Sequence, residues 1–199
     1  MDIQRYPDFA KISETQGYKS LPPKQKQMIR LSLMLQKRVF ETPSENLSQH
    51  TYKIYCSLNC HLSVYMLETG KYTGHLYNDN IPRNFFRAKY SKKPISEQSD
   101  LLRFLPEFKL PTVIHISLSP KKVYSHEVVL HTMLVLDITS DKDLIIWEKE
   151  GTLLPFRIAN VSDQLKTYPN LHWGYRPLMI NTGIRSFFRS LIQPYKQIN

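Results

Sequence analysis

The 199-residue chain carries 27 Lys and Arg against 17 Asp and Glu, a formal net charge of +10, with ordinary hydrophobic content and abundant tyrosine. That length supports one substantial core, and the charge favours anionic contacts such as nucleic acid, acidic lipid or acidic glycan without bearing on fold. Two cysteines exclude a disulfide framework, the N-terminus lacks an apolar leader core, and the run near Val128–Ile138 is too short to span a bilayer; a soluble, cytoplasmic chain is expected.

Residues Met1–Pro23 are polar and read as loop-like up to Pro22-Pro23. Met28, Leu31, Met34, Leu35 and Val39 then recur at helical spacing across Lys24–Phe40, with Lys24, Lys26, Arg30 and Lys37 on the opposite, solvated face. Thr42–Gln49 is a polar linker. Tyr52–Gly70 reads as a short apolar strand running into an amphipathic helix. Ser57 is its N-cap, Leu58, Leu62, Tyr65 and Met66 its inward stripe, and Gly70 its stop. Lys71–Pro94 is irregular and mixes aromatic with basic residues, a composition that suits rings packed inward and charges left in water. A short helix capped by Ser96 or Ser99 follows to about Phe104, where Pro106 ends it.

The second half changes character. Thr112–Leu118, Glu127–Ile138, Leu144–Glu150, Pro155–Ile158 and Trp173–Ile180 read as strands, and Ser162 caps one helical turn through about Lys166. Gly183–Asn199 holds a basic helix with Ile184, Phe187, Phe188 and Leu191 on one side. Helices first and an antiparallel meander after them make an α+β chain. It divides into an N-terminal helical extension over 1–50, a core over 51–180 with an insertion at 71–111, and a basic C-terminal helix or tail over 181–199.

Cys60 falls in the first turn of the predicted helix. Unpaired N–H groups and the positive end of the helix dipole favour thiolate there, which is what a cysteine nucleophile needs. A histidine within the apolar run Glu127–Ile138 needs partners for its ring nitrogens. If the turn at Thr139–Asp143 has a two-residue loop, His131 lies directly opposite Glu148, or opposite Glu150 with Glu148 diagonal to it. An odd-length loop separates His131 from Glu148. On the even register, His131 is a base oriented by a carboxylate, Glu148 or Glu150, beside a thiol brought from the upstream helix.

A Cys at a helix start, a His opening a core strand and a polar residue on the next strand resemble the NlpC/P60 branch of the papain-like cysteine peptidases. The resemblance is carried by LNCHLSVYML around Cys60, LPTVIHISL, LHTMLVLDI at His131, LIIWEKEG at Glu148 and the closing run RIANVSDQLKTYPNLHWGYRPL. It spans roughly Tyr52–Leu178 and is one of order and spacing. The chain differs in having Asn59 and His61 around the thiol, where the family commonly has Asp and a small residue. It has Glu148 where the family often has His, Asn or Gln.

The resemblance implies a papain-like fold and a cofactor-free hydrolase acting on a peptide or other amide through a thioacyl-enzyme, with Cys60, His131 and Glu148 as its triad. The Cys60 N–H with Asn59 or Tyr55 would hold the oxyanion. An acyltransferase would use the same thiol. The aromatic-rich insertion would form one groove wall, where Tyr72, Arg83 and Arg87 meet an acidic substrate or partner. The alternatives are a non-enzymatic module whose basic surface binds nucleic acid or another anion, and a metal site from Cys56, Cys60, His61 and His75. The latter has no second close ligand pair. No Gly-rich phosphate loop is present, so nucleotide chemistry is not expected.

Overall fold

The computed structural model describes residues 9–71, 81–105, 109–120 and 127–180. Apolar residues at helical spacing build the first half. Helices α1 (Phe9–Glu14) and α2 (Gln16–Ser20) precede α3 (Pro23–Glu41), which opens with proline at its first position, where no backbone N–H is needed. The expected loop through Pro23 is therefore helical over most of its described length. The side chain of Thr15 caps α2 by accepting from Tyr18 N.

Helix α4 (Gln49–Ser57) replaces the strand expected before Cys60. Tyr52, Tyr55 and Cys56 fit a helical face as well as a short extended run, so local pattern does not choose between them. Packing does: the Tyr55 ring meets Phe40 of α3 edge-on at 5.5 Å, and its hydroxyl donates to Leu154 O at 2.8 Å. Ser57 is accordingly no N-cap; its hydroxyl turns back to Ile54 O. Helix α5 (Cys60–Thr69) starts instead at Asn59, whose Oδ1 accepts from Leu62 N at 3.0 Å, and ends at Gly70 in the left-handed region, φ 61°.

After α5 come a 3₁₀ turn at Arg83–Phe86, strand β1 (Lys89–Tyr90) and helix α6 (Gln98–Phe104), which begins after Glu97 without the serine cap expected. Strands β2 (Thr112–Ser117), β3 (Val129–Ile138), β4 (Leu144–Lys149) and β5 (Phe156–Asn160) follow as the predicted meander. Helix α7 (Val161–Thr167) and β6 (His172–Pro177) close the described chain. Ser162 lies inside α7, and Asp143 of the β3–β4 turn takes over its expected role, accepting from Ser162 N and Oγ.

The sheet order is β1-β6-β2-β3-β4-β5, every neighbouring pair antiparallel; β6 departs from the meander by pairing with the free edge of β2. The fold is thus α+β. Alternation sends Leu134 and Leu136 to a core shared with α5, while Met133 and Val135 join Leu165 and Leu101 on the other side. Ile12, Tyr18, Met28 and Ile29 belong to the α5 core, so the N-terminal helices pack as part of it. The predicted basic helix in 181–199 lies outside the described residues. No helix among the described residues is long and apolar enough to cross a membrane.

One irregularity in β3 decides the geometry downstream. Ile138 pairs with Leu144, leaving the five-residue loop Thr139–Asp143; between Asp137 and Val135 the register shifts by one, so Leu134 pairs with Trp147. Leu136 is the extra residue of a β-bulge. Helix α2 sits on it: Gln16 N donates to Asp137 Oδ2 at 3.0 Å, and a Cβ on Gly17 would lie 2.6 Å from Leu136 O. Alanine at 17 gains about 1 kcal/mol of helix propensity but must push two backbones apart, at about 1–3 kcal/mol. Gly17→Ala is expected to destabilise the protein in urea denaturation; an unchanged or raised midpoint contradicts the close approach.

Candidate active site

Cys60 is the first residue of α5, 7% exposed, and its thiol hydrogen-bonds with His131 and with His61. Burial alone pushes this thiol up. The electrostatic influence of His61 and the hydrogen bonds from His131 and His61 outweigh that penalty and bring it down to about 5.

His131 is in turn held from its far side. Its Nε2 lies 2.6 Å from Glu148 Oε2, which leaves Nδ1 to face the sulfur. Burial disfavours the imidazolium, but bonds and charges from Cys60 and Glu148 raise His131 to about 9. The carboxylate is pinned by two donors on its other oxygen, Arg157 Nε at 2.7 Å and Gln164 Nε2 at 2.6 Å. Burial raises Glu148, and His131 with Arg157 more than offsets this, holding it below the usual carboxylate range. Tyr168 stacks on the imidazole, 5.5 Å between centroids and 16° between planes.

The two strands meet this way because of the bulge. Continuing the Ile138–Leu144 register across a five-residue loop would set His131 and Glu148 on opposite faces. The extra residue at Leu136 returns Glu148 to a place opposite Met133, diagonal to His131 on the same face. The odd-length loop is present, and the bulge cancels its effect. Glu150 instead pairs with Arg157 Nη2 at 2.8 Å.

The remaining predicted residues divide. Asn59 is the N-cap that aims Cys60, and Tyr55 spends its hydroxyl on Leu154, within the core rather than at the thiol. Arg83 and Arg87 are exposed while Phe85 and Phe86 turn inward, Phe86 edge-on to His61 at 5.4 Å. Tyr72 and His75 lie outside the described residues. Among those described, no three His, Cys, Asp or Glu side chains converge as a metal cage.

Lys149 was missed. Its Nζ donates to the carbonyls of Leu58 at 2.7 Å, Tyr55 at 3.3 Å, Gly151 at 3.1 Å and Thr152, collecting the C-terminal oxygens of α4 just before Cys60. It thereby holds the break between α4 and α5 that exposes the first turn of α5 to the thiol. Burial lowers this amine to about 8. The available signal was strand parity, which sends Lys149 to the same buried face as Trp147. Arg157, Gln164 and Tyr168 carried no such signal, since each reaches the site only through β5 and α7 docking on β4.

Comparison with protein-family models, with curated proteins and with solved structures returned no match to this chain.

Proposed function

We propose that this chain is a cysteine-dependent amide-bond hydrolase with a papain-like arrangement of thiol, imidazole and carboxylate. The observation that carries it is the buried relay Cys60–His131–Glu148, with the thiol at a helix start and the carboxylate 2.6 Å from the ring. The order of these residues along the chain, and the NlpC/P60-like spacing around them, supports the same reading. The Cys60 thiolate attacks the amide carbonyl, and the C–N bond breaks as the His131 imidazolium passes its proton to the leaving amine. Water, deprotonated by the now neutral His131, then opens the thioester and returns the thiol. Glu148 keeps the imidazole aligned throughout. The Cys60 N–H, which has no intrahelical partner at the first position of α5, is a donor for the oxyanion.

Both groups must be in the right state, and their shifts bracket the window. Below about 5 the thiolate takes a proton; above about 9 the imidazolium loses the proton that the leaving amine needs. Hydrolysis of fluorogenic peptide amides is expected to follow a bell between those limits. Iodoacetamide labelling of Cys60 in a Cys56→Ala background reads the acid limb without a substrate. Fast labelling should persist down to about pH 5, whereas a midpoint near the ordinary thiol value of about 8.5 refutes the activated nucleophile.

A further inference from the structure

Next to His131, Thr132 points to the opposite face of β3, toward α5, and meets two other histidines there. Its Oγ1 lies 2.7 Å from His61 Nδ1 and 2.8 Å from His115 Nδ1, while His115 Nε2 lies 3.3 Å from Arg176 Nε. All four side chains are buried. Phe86 covers His61, and Phe85 packs against the His115 ring at 5.5 Å.

The donors in this chain can be ordered. Arg176 Nε carries one hydrogen, shared between Phe85 O at 2.9 Å and His115 Nε2 at 3.3 Å, and since a guanidinium only donates, His115 Nε2 is the accepting side of that contact. Burial and the Arg176 charge keep His115 far below its ordinary pKa, hence neutral, with its ring proton on Nδ1. That proton goes to Thr132 Oγ1. The threonine hydroxyl is then left to donate to His61 Nδ1, which places the His61 ring proton on Nε2. His61 follows Cys60 directly and hydrogen-bonds with its thiol; with Nδ1 committed to Thr132, Nε2–H is the donor.

We propose that His61 is a second catalytic histidine, a fixed hydrogen-bond donor to the Cys60 thiolate, with its tautomer set by the one-way chain Arg176–His115–Thr132. This deepens the hydrolase reading and rests on Cys60 being its nucleophile. The two imidazoles have different tasks. His131 opens onto a carboxylate and exchanges its proton during turnover. His61 is backed by a chain that ends in a guanidinium, which accepts no proton, so it stays a donor and stabilises negative sulfur. Thr132, His115 and Arg176 are positioning residues. His131 from β3 and Lys149 from β4 are the cations that act on this sulfur.

Thr132→Val keeps the shape of the side chain and removes the donor to His61. In the Cys56→Ala background, iodoacetamide labelling of Cys60 at about pH 6 should slow about tenfold, the effect of losing one hydrogen bond to the thiolate once His61 is no longer held as its donor. Thr132→Ser, which keeps the hydroxyl, should restore it. A Thr132→Val protein that labels as fast as its parent overturns the proposal. If that variant fails to fold, the native chain decides: a long-range proton–nitrogen NMR spectrum at about pH 7.5 should show His61 with Nε2 protonated and Nδ1 bare. A proton on Nδ1 overturns the chain. Neither measurement needs a substrate. A parent thiol with an ordinary labelling midpoint therefore refutes the hydrolase reading, whereas an activated thiol indifferent to Thr132→Val refutes this one.

Discussion

Replacing His131 with alanine should slow alkylation of Cys60 at about pH 6.5 by roughly 100-fold, because the thiol returns to its ordinary range and its ionised fraction collapses. Burial, the largest influence on Cys60, already opposes the thiolate. His131 supplies one of the two hydrogen bonds and part of the positive charge that overcome it, and His61 alone cannot replace both. Amide hydrolysis should fall further, by about 1,000-fold or more, since the same residue protonates the leaving amine. The fold should persist. Glu148 keeps Arg157 and Gln164 after the imidazole is gone, so no buried carboxylate is left unpaired. A His131→Ala protein with native spectra and unchanged labelling would remove His131 from the chemistry.

Glu68→Ala should be the most damaging single change to stability, at about 3–5 kcal/mol, the usual cost of breaking a buried ion pair from one side. Arg176 and Glu68 side chains are 2% and 5% exposed. Arg176 Nη2 donates to Glu68 Oε2 at 3.1 Å, a second donor, Nη1, reaches Oε1, and Met179 N adds a third bond at 2.9 Å. The pair is no bargain in itself. Burial raises the Glu68 carboxyl in spite of Arg176, a sign that desolvation outweighs attraction. What the carboxylate prevents is an isolated guanidinium in the core.

For a chain of this size that loss corresponds to a fall in Tm of about 10 °C. The double variant Glu68→Leu with Arg176→Met, which removes both charges and keeps the volume, should recover most of it. A single Glu68→Ala variant within about 1 kcal/mol of the parent would show that the pair is not desolvated as described. The double variant also cuts the chain that orients His61. It should be stable and yet label Cys60 slowly, which separates the two roles of Arg176.

Much was legible from local pattern because its causes are local. Period-2 alternation marked β2 and apolar runs marked β3 and β4 to within a few residues, helical spacing marked α3 and α5, and Gly70 marked the end of α5 by its left-handed backbone. Cys60 at a helix start and a lone histidine in an apolar strand were likewise visible as residues in want of partners.

Three features were not. Gln49–Ser57 suits strand or helix equally by pattern, and α3 chose helix by packing Phe40 on Tyr55. The meeting of His131 with Glu148 depends on a bulge at Leu136, which α2 supports from the far end of the chain through Gln16 and Gly17. The chain from Arg176 to His61 joins β6, β2, β3 and α5, whose residues become neighbours only when the sheet forms. Sequence by itself determined which elements form and which side chains would need partners, because backbone propensity and burial period act over a few residues. Tertiary structure alone decided which partners they found, because register, bulges and buried polar contacts are set by elements that meet across the whole fold.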